Sequence, residues 1–510
     1  IDGSDAQSQQ QEESEEEQEN KTSKLAGAGD GDEDVDNDDP QSITDRHFRK
    51  RENELINQSG KVFMIEMPEA NLNKILLSNK IVCDDLEQFI RIEVSRSHTY
   101  KTHDVTYDKL SAKCLNKFNK NNKKFISHLA REFDMRKKAS QYARQQTART
   151  GELNMNVLHK YKFSNDLFQK ITVVPKGKNH GLIMFMDMSG SMQDIMRNTL
   201  EQVLVLVSFC KMVGIPYDVY GFSDDFYHSK TENGVLKSDA KKFECNPDVA
   251  IMAGAGFHLK HLIGSSLTPM QQRRAFNLLC IVVNEFMRGY SYREEDQDQD
   301  YGCFAHNWEG GGFGLNGTPF IQTLLASREL ITKFRADHKL DVTNVVYLTD
   351  GEGSGAFSFP TIGYHDHHRA VMYFVDKKTK KRVRVEGGHQ ATVTKLVRDV
   401  TDCKHIGYFL MDRHYSKYLW RELKYRNIDE FQISKLKKDM RENNFVTIPT
   451  LGYDKYFYIT ASTKKITEDE MQITEGMTKS KLANEFSKMV RSKKGNRRLV
   501  SNFAEDLAVA

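Results

Sequence analysis

Three oxygen-bearing side chains stand at alternate positions in IMFMDMSGSMQD (residues 183–194): Asp187, Ser189 and Ser191. A short apolar run stops at the aspartate, and two hydroxyls follow it. Residues of this kind at this spacing can cap a helix, supply a nucleophile or give three oxygens to a cation. A serine-hydrolase elbow reads GxSxG, whereas this stretch reads DMSGS, so the nucleophile reading is not supported. Magnesium takes about six hard oxygen donors near 2.1 Å and usually keeps some waters. A loop after a strand can turn alternate side chains toward one point, and Gly190 eases the bend. Two more oxygen donors occur in comparable settings. Asp350 closes a second apolar run in LTDGEGSG, and Thr318 in NGTPF follows a glycine just ahead of a helical pattern.

The elements that must position these residues are legible as a pattern. Leu182 to Met186 is a continuous apolar run, as expected of a strand covered on both faces. Ser191 to Gly214 reads as a helix with Met192, Ile195, Met196, Val203, Leu206, Val207 and Cys210 on one stripe, stopped by Gly214 and Pro216. YDVYGF (217–222), NVVYLTD (344–350), HIGYFLMD (405–412) and YFYIT (456–460) read as strands, and VMYFVDKKTKKRVRV as a hairpin. MQQRRAFNLLCIVVNEFMRG, FIQTLLASRELITKFRAD and QATVTKLVRDV read as helices. Strands alternating with helices predict an α/β fold, an open and mostly parallel sheet with helices on both faces. Ligands of such sheets lie at the carboxyl ends of the strands, where both aspartates stand.

Charge divides the chain. Residues 1–40 hold 15 acidic and 2 basic residues, a net −13, so the rest carries +16 of the overall +3. The acidic stretch has almost no apolar residues to offset ordering entropy and is expected to be disordered. Residues 111–149 read as a basic helix with a partial stripe of Leu115, Phe118, Phe125, Ile126, Leu129 and Phe133. The resulting organisation is a disordered acidic tail at 1–45, a mostly helical basic region at 46–170, the sheet domain at 171–465 and a helical tail at 466–510. A long insertion at about 223–317 interrupts the sheet domain. No run of about 18 apolar residues suggests a membrane span. Seven scattered cysteines with no CxxC pair fit a reducing, cytoplasmic setting better than a disulfide framework.

Asp187-x-Ser189-x-Ser191, then Thr318 after Gly317, then Asp350 in Thr-Asp-Gly, resembles the metal-ion-dependent adhesion site of von Willebrand factor type A domains, over residues 180–462. The resemblance implies that Asp187, Ser189, Ser191 and Thr318 hold Mg2+ (or Mn2+), directly or through water, with Asp350 hydrogen-bonding in the surrounding shell. It implies an open position for a partner's acidic side chain. The acidic leader, basic helical middle and lead-in ARTGELNMNVLHKYKF are similar in layout to the T subunit of aerobic cobalt chelatase and its relatives, including phage-encoded ones. That family implies a partner of the MoxR type, an AAA+ ATPase that carries the nucleotide chemistry. The expected protein is then a metal-dependent adaptor without catalysis of its own, assembling in a complex. The alternatives are a non-ATPase subunit of a cobalt chelatase in cobalamin synthesis and a nucleic-acid-binding scaffold.

Other candidates carry less. His365, His367 and His368 with Asp366 are a conceivable transition-metal group, read here as a polar loop. Cys303 and His306 lack further zinc ligands. Thr268 in LTPM lacks the preceding glycine that sets Thr318 apart. GGGFGLNGTP has no P-loop lysine, so ATP is not an expected ligand. Trp308, Phe304 and Phe313 in the insertion are a candidate partner-reading surface. The basic run from Lys117 to Lys138 is read as a solvated face or a dock for acidic partners, and nucleic acid is not among the expected partners.

Overall fold

The structure, a computed structural model, describes residues 62–96, 106–143, 146–148, 171–173, 179–224, 231–232, 235–236, 243–244, 251–252, 257–286, 317–351, 353, 357–358, 371–386, 388–411, 419–420, 429–443, 445–450 and 452–460. All of these belong to one contact unit, Gly60–Ala510. The acidic tail, the aromatics and the Cys–His pair of the insertion, the histidine group at 365–368 and the tail at 466–510 lie outside the described residues.

The principal elements in chain order are β1 (Val62–Glu66), β2 (Leu76–Leu77), α1 (Asn79–Arg96), α2 (Tyr107–Ala143), β3 (His180–Asp187), α3 (Gln193–Val213), β4 (Tyr217–Ser223), β5 (His258–Gly264), α4 (Pro269–Ile281) and α5 (Phe320–His338). Then follow β6 (Val342–Thr349), β7 (Val371–Val375), β8 (Arg382–Arg384), α6 (His389–Thr401), β9 (Lys404–Met411), α7 (Glu430–Asn443), β10 (Phe445–Thr447) and β11 (Lys455–Thr460). Eight strands form one sheet in the order β10-β11-β9-β6-β3-β4-β5-β2. The five from β11 to β4 run parallel, while β10 and β5 run antiparallel to their inner neighbours. The expected α/β architecture with a mostly parallel sheet is present.

Alternation along the central strands explains why they read as unbroken apolar runs. Leu182, Met184 and Met186 of β3, with Val346 and Leu348 of β6, pack into a core shared with α1, α2, α3 and α4. Ile183 and Phe185, with Val345 and Tyr347, point into a second core shared with α5 and α6. Each face of the sheet is therefore closed by helices, and no position on β3 after His180 sees solvent. The basic helical stretch packs onto the first of these cores: Phe118 meets Phe276 and Phe133 meets Phe209, both edge to face. A smaller third core joins α7 to β9, β10 and β11.

α3 runs for 21 residues and stops where expected. Gly214 takes φ +73° and its N–H closes on the Cys210 carbonyl, a left-handed cap that glycine adopts without a Cβ clash. Three features lay outside the sequence reading. β5 falls inside the stretch read as an insertion, because HLKHLIG shows no clean alternation; its Lys260 is fully buried and donates to Ser223 Oγ at 2.8 Å. β1 pairs in parallel with β7, 309 residues away, beside the expected hairpin of β7 and β8. β2 adds to the outer edge of the sheet beside β5.

Candidate functional site

The winding of the sheet creates the site. After β3 the chain builds outward through β4 and β5, then crosses back to place β6 on the other side of β3. The helices on either side of such a reversal diverge and leave a crevice at the carboxyl ends of the two strands. β3 ends in that crevice with Asp187 and β6 ends there with Thr349, followed by Asp350.

Asp187 is wholly buried. Its Oδ1 accepts the Ser189 N–H at 2.9 Å, and its Oδ2 accepts the Thr349 hydroxyl at 2.8 Å. The Met188 N–H still bonds the Phe222 carbonyl at 2.9 Å, so the β3–β4 ladder holds the backbone right up to the turn. A single 3-10 turn, Gly190–Met192, then leads into α3. It sets the Ser189 and Ser191 hydroxyls 3.0 Å apart, and Ser191 Oγ donates to Asp350 Oδ1 at 2.9 Å. A serine hydroxyl has one proton to give. Ser191 spends its proton on Asp350, and the Ser189 hydroxyl has its own to give to Ser191 or to Asp187. The result is a hydrogen-bonded chain linking Ser189, Ser191 and Asp350, its last link joining residues 159 positions apart.

The electrostatics of the crevice favour a cation. Burial, and then the neighbouring Asp350 charge, push the Asp187 carboxyl up to about 7 against the hydrogen bonds from Thr349 and Ser189. Burial also raises Asp350, opposed by its bond from Ser191. Two carboxylates thus share a poorly solvated space, and a nearby positive charge would favour the ionised form of both. The donor set consists of carboxylate and hydroxyl oxygens, the hard ligands that magnesium and manganese take, so these residues fit such an ion. Among the described residues no group of three or more His, Cys, Asp or Glu is placed to hold a metal; this site has two carboxylates and draws its remaining oxygens from hydroxyls.

Thr318 reaches the same end of the sheet by a different route. The Gly317 N–H donates to Asp224 Oδ1 at 2.8 Å, one residue past the end of β4. A Cβ at position 317 would lie 2.6 to 2.9 Å from the Asp224 carboxylate, so a side chain there would displace that carboxylate. Phe320, the first residue of α5, packs against Phe222 and Tyr347. A Cβ on Gly353, in the loop after Asp350, would meet Phe320 Cβ at 2.5 Å. The start of α5 and the loop after β6 are therefore in contact. Asp187, Ser189, Ser191 and Asp350 are joined by hydrogen bonds, whereas among the described residues none links the Thr318 hydroxyl to them. Thr268 is accounted for differently: it caps α4 in a reciprocal box with Gln271.

Two residues of this site escaped the motif reading. Thr349 braces Asp187 and also accepts the Gly351 N–H at 3.2 Å. Asp224 clamps the Gly317 turn. Thr349 was detectable as a hydroxyl at a strand end beside Asp350. Asp224 had no signal, because its partner lies 93 residues away.

No family model matches the chain, and no curated relative matches it. Six solved chains match. One is the pilus adhesin SpaC from Lactobacillus rhamnosus GG in an open conformation, with a TM-score of 0.29 and 11% identity over 66% of this chain and 30% of the adhesin. The chain thus spans less than a third of the adhesin's length, and at that TM-score the likeness carries no argument about fold or activity.

Proposed function

We propose that this chain is a von Willebrand factor type A protein that uses a divalent cation, Mg2+ or Mn2+, to capture an acidic side chain of a protein partner. The observation that carries the reading is the hydroxyl chain from Ser189 through Ser191 to Asp350, beside the buried Asp187. It puts oxygen donors from two strand ends around one crevice.

In this reading Asp187, Ser189, Ser191 and Thr318 hold the ion, directly or through water, and Asp350 orients the shell through Ser191. A bound cation supplies positive charge and a position that an incoming carboxylate can take. The chain's own residues set how strongly that carboxylate is drawn. Asp187 is braced by Thr349 and the Ser189 N–H, so its oxygens have a fixed direction. Hydroxyls in place of further carboxylates leave the ion undercompensated, which favours an acidic ligand. The Gly317 turn, held by Asp224, sets the approach of Thr318.

The layout of the whole sequence, similar to the T subunit of aerobic cobalt chelatase, supports an adaptor that works in a cytoplasmic complex with a MoxR-type AAA+ ATPase. Among the described residues no helix is long and apolar enough to cross a membrane. The deciding experiment is a pull-down from host extract with wild type and Asp187→Ala, each in magnesium and in EDTA. An AAA+ ATPase captured only by wild type in magnesium is the expected result. Identical captives in all four lanes, from variant protein with an unchanged thermal melt, would sink the adhesion-site mechanism.

A further inference from the structure

We propose that the exposed face of α2 between Lys109 and Arg131 is a binding surface for the phosphate backbone of nucleic acid, contacted without reading bases. From Lys109 to Arg131 the helix carries seven cations, Lys109, Lys113, Lys117, Lys120, Lys123, Lys124 and Arg131, and no carboxylate. All seven are exposed. At 3.6 residues per turn they fall within an arc of about 120° and extend over about 33 Å of helix axis. The opposite arc is the packed side: Phe118 and Phe133 sit against Phe276 and Phe209, and Asn122 donates to Glu201 of α3 at 3.1 Å. The cations are therefore mounted in one line on a helix already held by the core.

The composition of this face selects its partner class. Protein interfaces centre on apolar and aromatic anchors and are depleted in lysine. Between Lys109 and Arg131 the only exposed apolar residue is Ala112. Asn116 and Asn119, which flank the lysines, are exposed as well and are a further common source of backbone contacts. The phenylalanines that interleave the basic run in sequence are turned inward, Phe118 and Phe133 fully and Phe125 in part, so none of them stands exposed for base stacking. What remains is a rigid row of donors suited to phosphates and indifferent to sequence.

The test uses the full chain in EDTA, which keeps it independent of the cation reading. Fluorescence anisotropy would follow binding of two unrelated DNA duplexes, a single-stranded RNA and poly-L-glutamate across a salt series. Equal affinity for the two duplexes is expected, with the logarithm of the binding constant falling against log salt at a slope of about −3 to −6, near 0.9 per phosphate contact. The variant Lys120→Gln/Lys123→Gln/Lys124→Gln keeps helix propensity and should reduce that slope by about 2 to 3, with at least tenfold weaker binding at low salt. A preference for RNA over duplex would identify the source of the phosphates within the same proposal. An unchanged slope in the triple variant, poly-L-glutamate bound as tightly as the nucleic acids, or no nucleic-acid binding at about 50 mM salt would each overturn it.

Discussion

Thr349 shows how one hydroxyl sets the state of the candidate site. Its Oγ1 donates to the buried Asp187 at 2.8 Å and accepts the Gly351 N–H at 3.2 Å. Thr349→Val keeps the shape and removes both bonds. A buried carboxylate that loses a donor costs about 1–3 kcal/mol, so urea denaturation in EDTA should show a loss of that size. If Asp187 is a cation ligand, its freed oxygen also loses orientation, and magnesium titration should report weaker binding. Asp187→Asn separates charge from shape. It relieves the crowding of two carboxylates, so in EDTA the variant should melt at or above the wild-type temperature. Saturating magnesium should raise the wild-type melt, by the equivalent of about 2.7 kcal/mol at a hundredfold excess over Kd, and leave Asp187→Asn unmoved. An equal magnesium shift in both proteins would place the ion elsewhere.

At the scale of elements, the site depends on where β3, β4, β6 and α5 end. α5 begins just after the turn at Gly317, where the Asp224 carboxylate occupies the space a Cβ would need. Gly317→Ala should force Asp224 to rotate away and give up its bond to the Gly317 N–H. A destabilisation of about 1–3 kcal/mol is expected, together with a drop in magnesium affinity through Thr318. Calorimetric titration checks the second effect, and unchanged affinity would show that Thr318 does not reach the ion. The strand ends themselves were legible: apolar runs stopping at Asp187 and at Asp350 announced β3 and β6, since strands covered on both faces read as near-continuous apolar runs. β5 was not legible. Its Lys260 breaks the pattern, and only the fold supplies the Ser223 hydroxyl that receives it.

For the whole molecule, acid sensitivity has an identifiable source at the far side of the sheet. His405 in β9 is fully buried; among the described residues its Nδ1 has no hydrogen-bond partner, and Thr401 Oγ1 lies 3.4 Å from Nε2. Burial, and then the nearby Arg398, hold its pKa down to about 3 against an ordinary 6.5. The unfolded chain therefore takes up this proton first as pH falls. Native stability is lost progressively between about pH 6.5 and pH 3, and it is fully retained above 6.5. Relative to wild type, His405→Gln should gain on the order of 2–3 kcal/mol between pH 7 and pH 4.5. Urea midpoints at the two pH values measure this difference, and parallel pH profiles would rule His405 out. Two large cores lie on opposite faces of the sheet, and α1 and α2 pack into one of them.

Apolar periodicity and its stopping points were enough to determine an α/β chain with a mostly parallel sheet, the extent of α3 and α5, and the oxygen donors at two strand ends. These are local properties, set by which face of each element must leave water and by which residues can end it. The meeting of Ser191 with Asp350, the bracing of Asp187 by Thr349 and the clamp of Asp224 on Gly317 were decided only in three dimensions. Each joins residues 93 to 162 positions apart, and no local pattern encodes a partner that distant. The same holds for α2. Its charge was visible in the sequence, but the separation of cations from aromatics onto opposite faces came from packing against α3 and α4, because only burial of the aromatic side fixes which side is left to solvent.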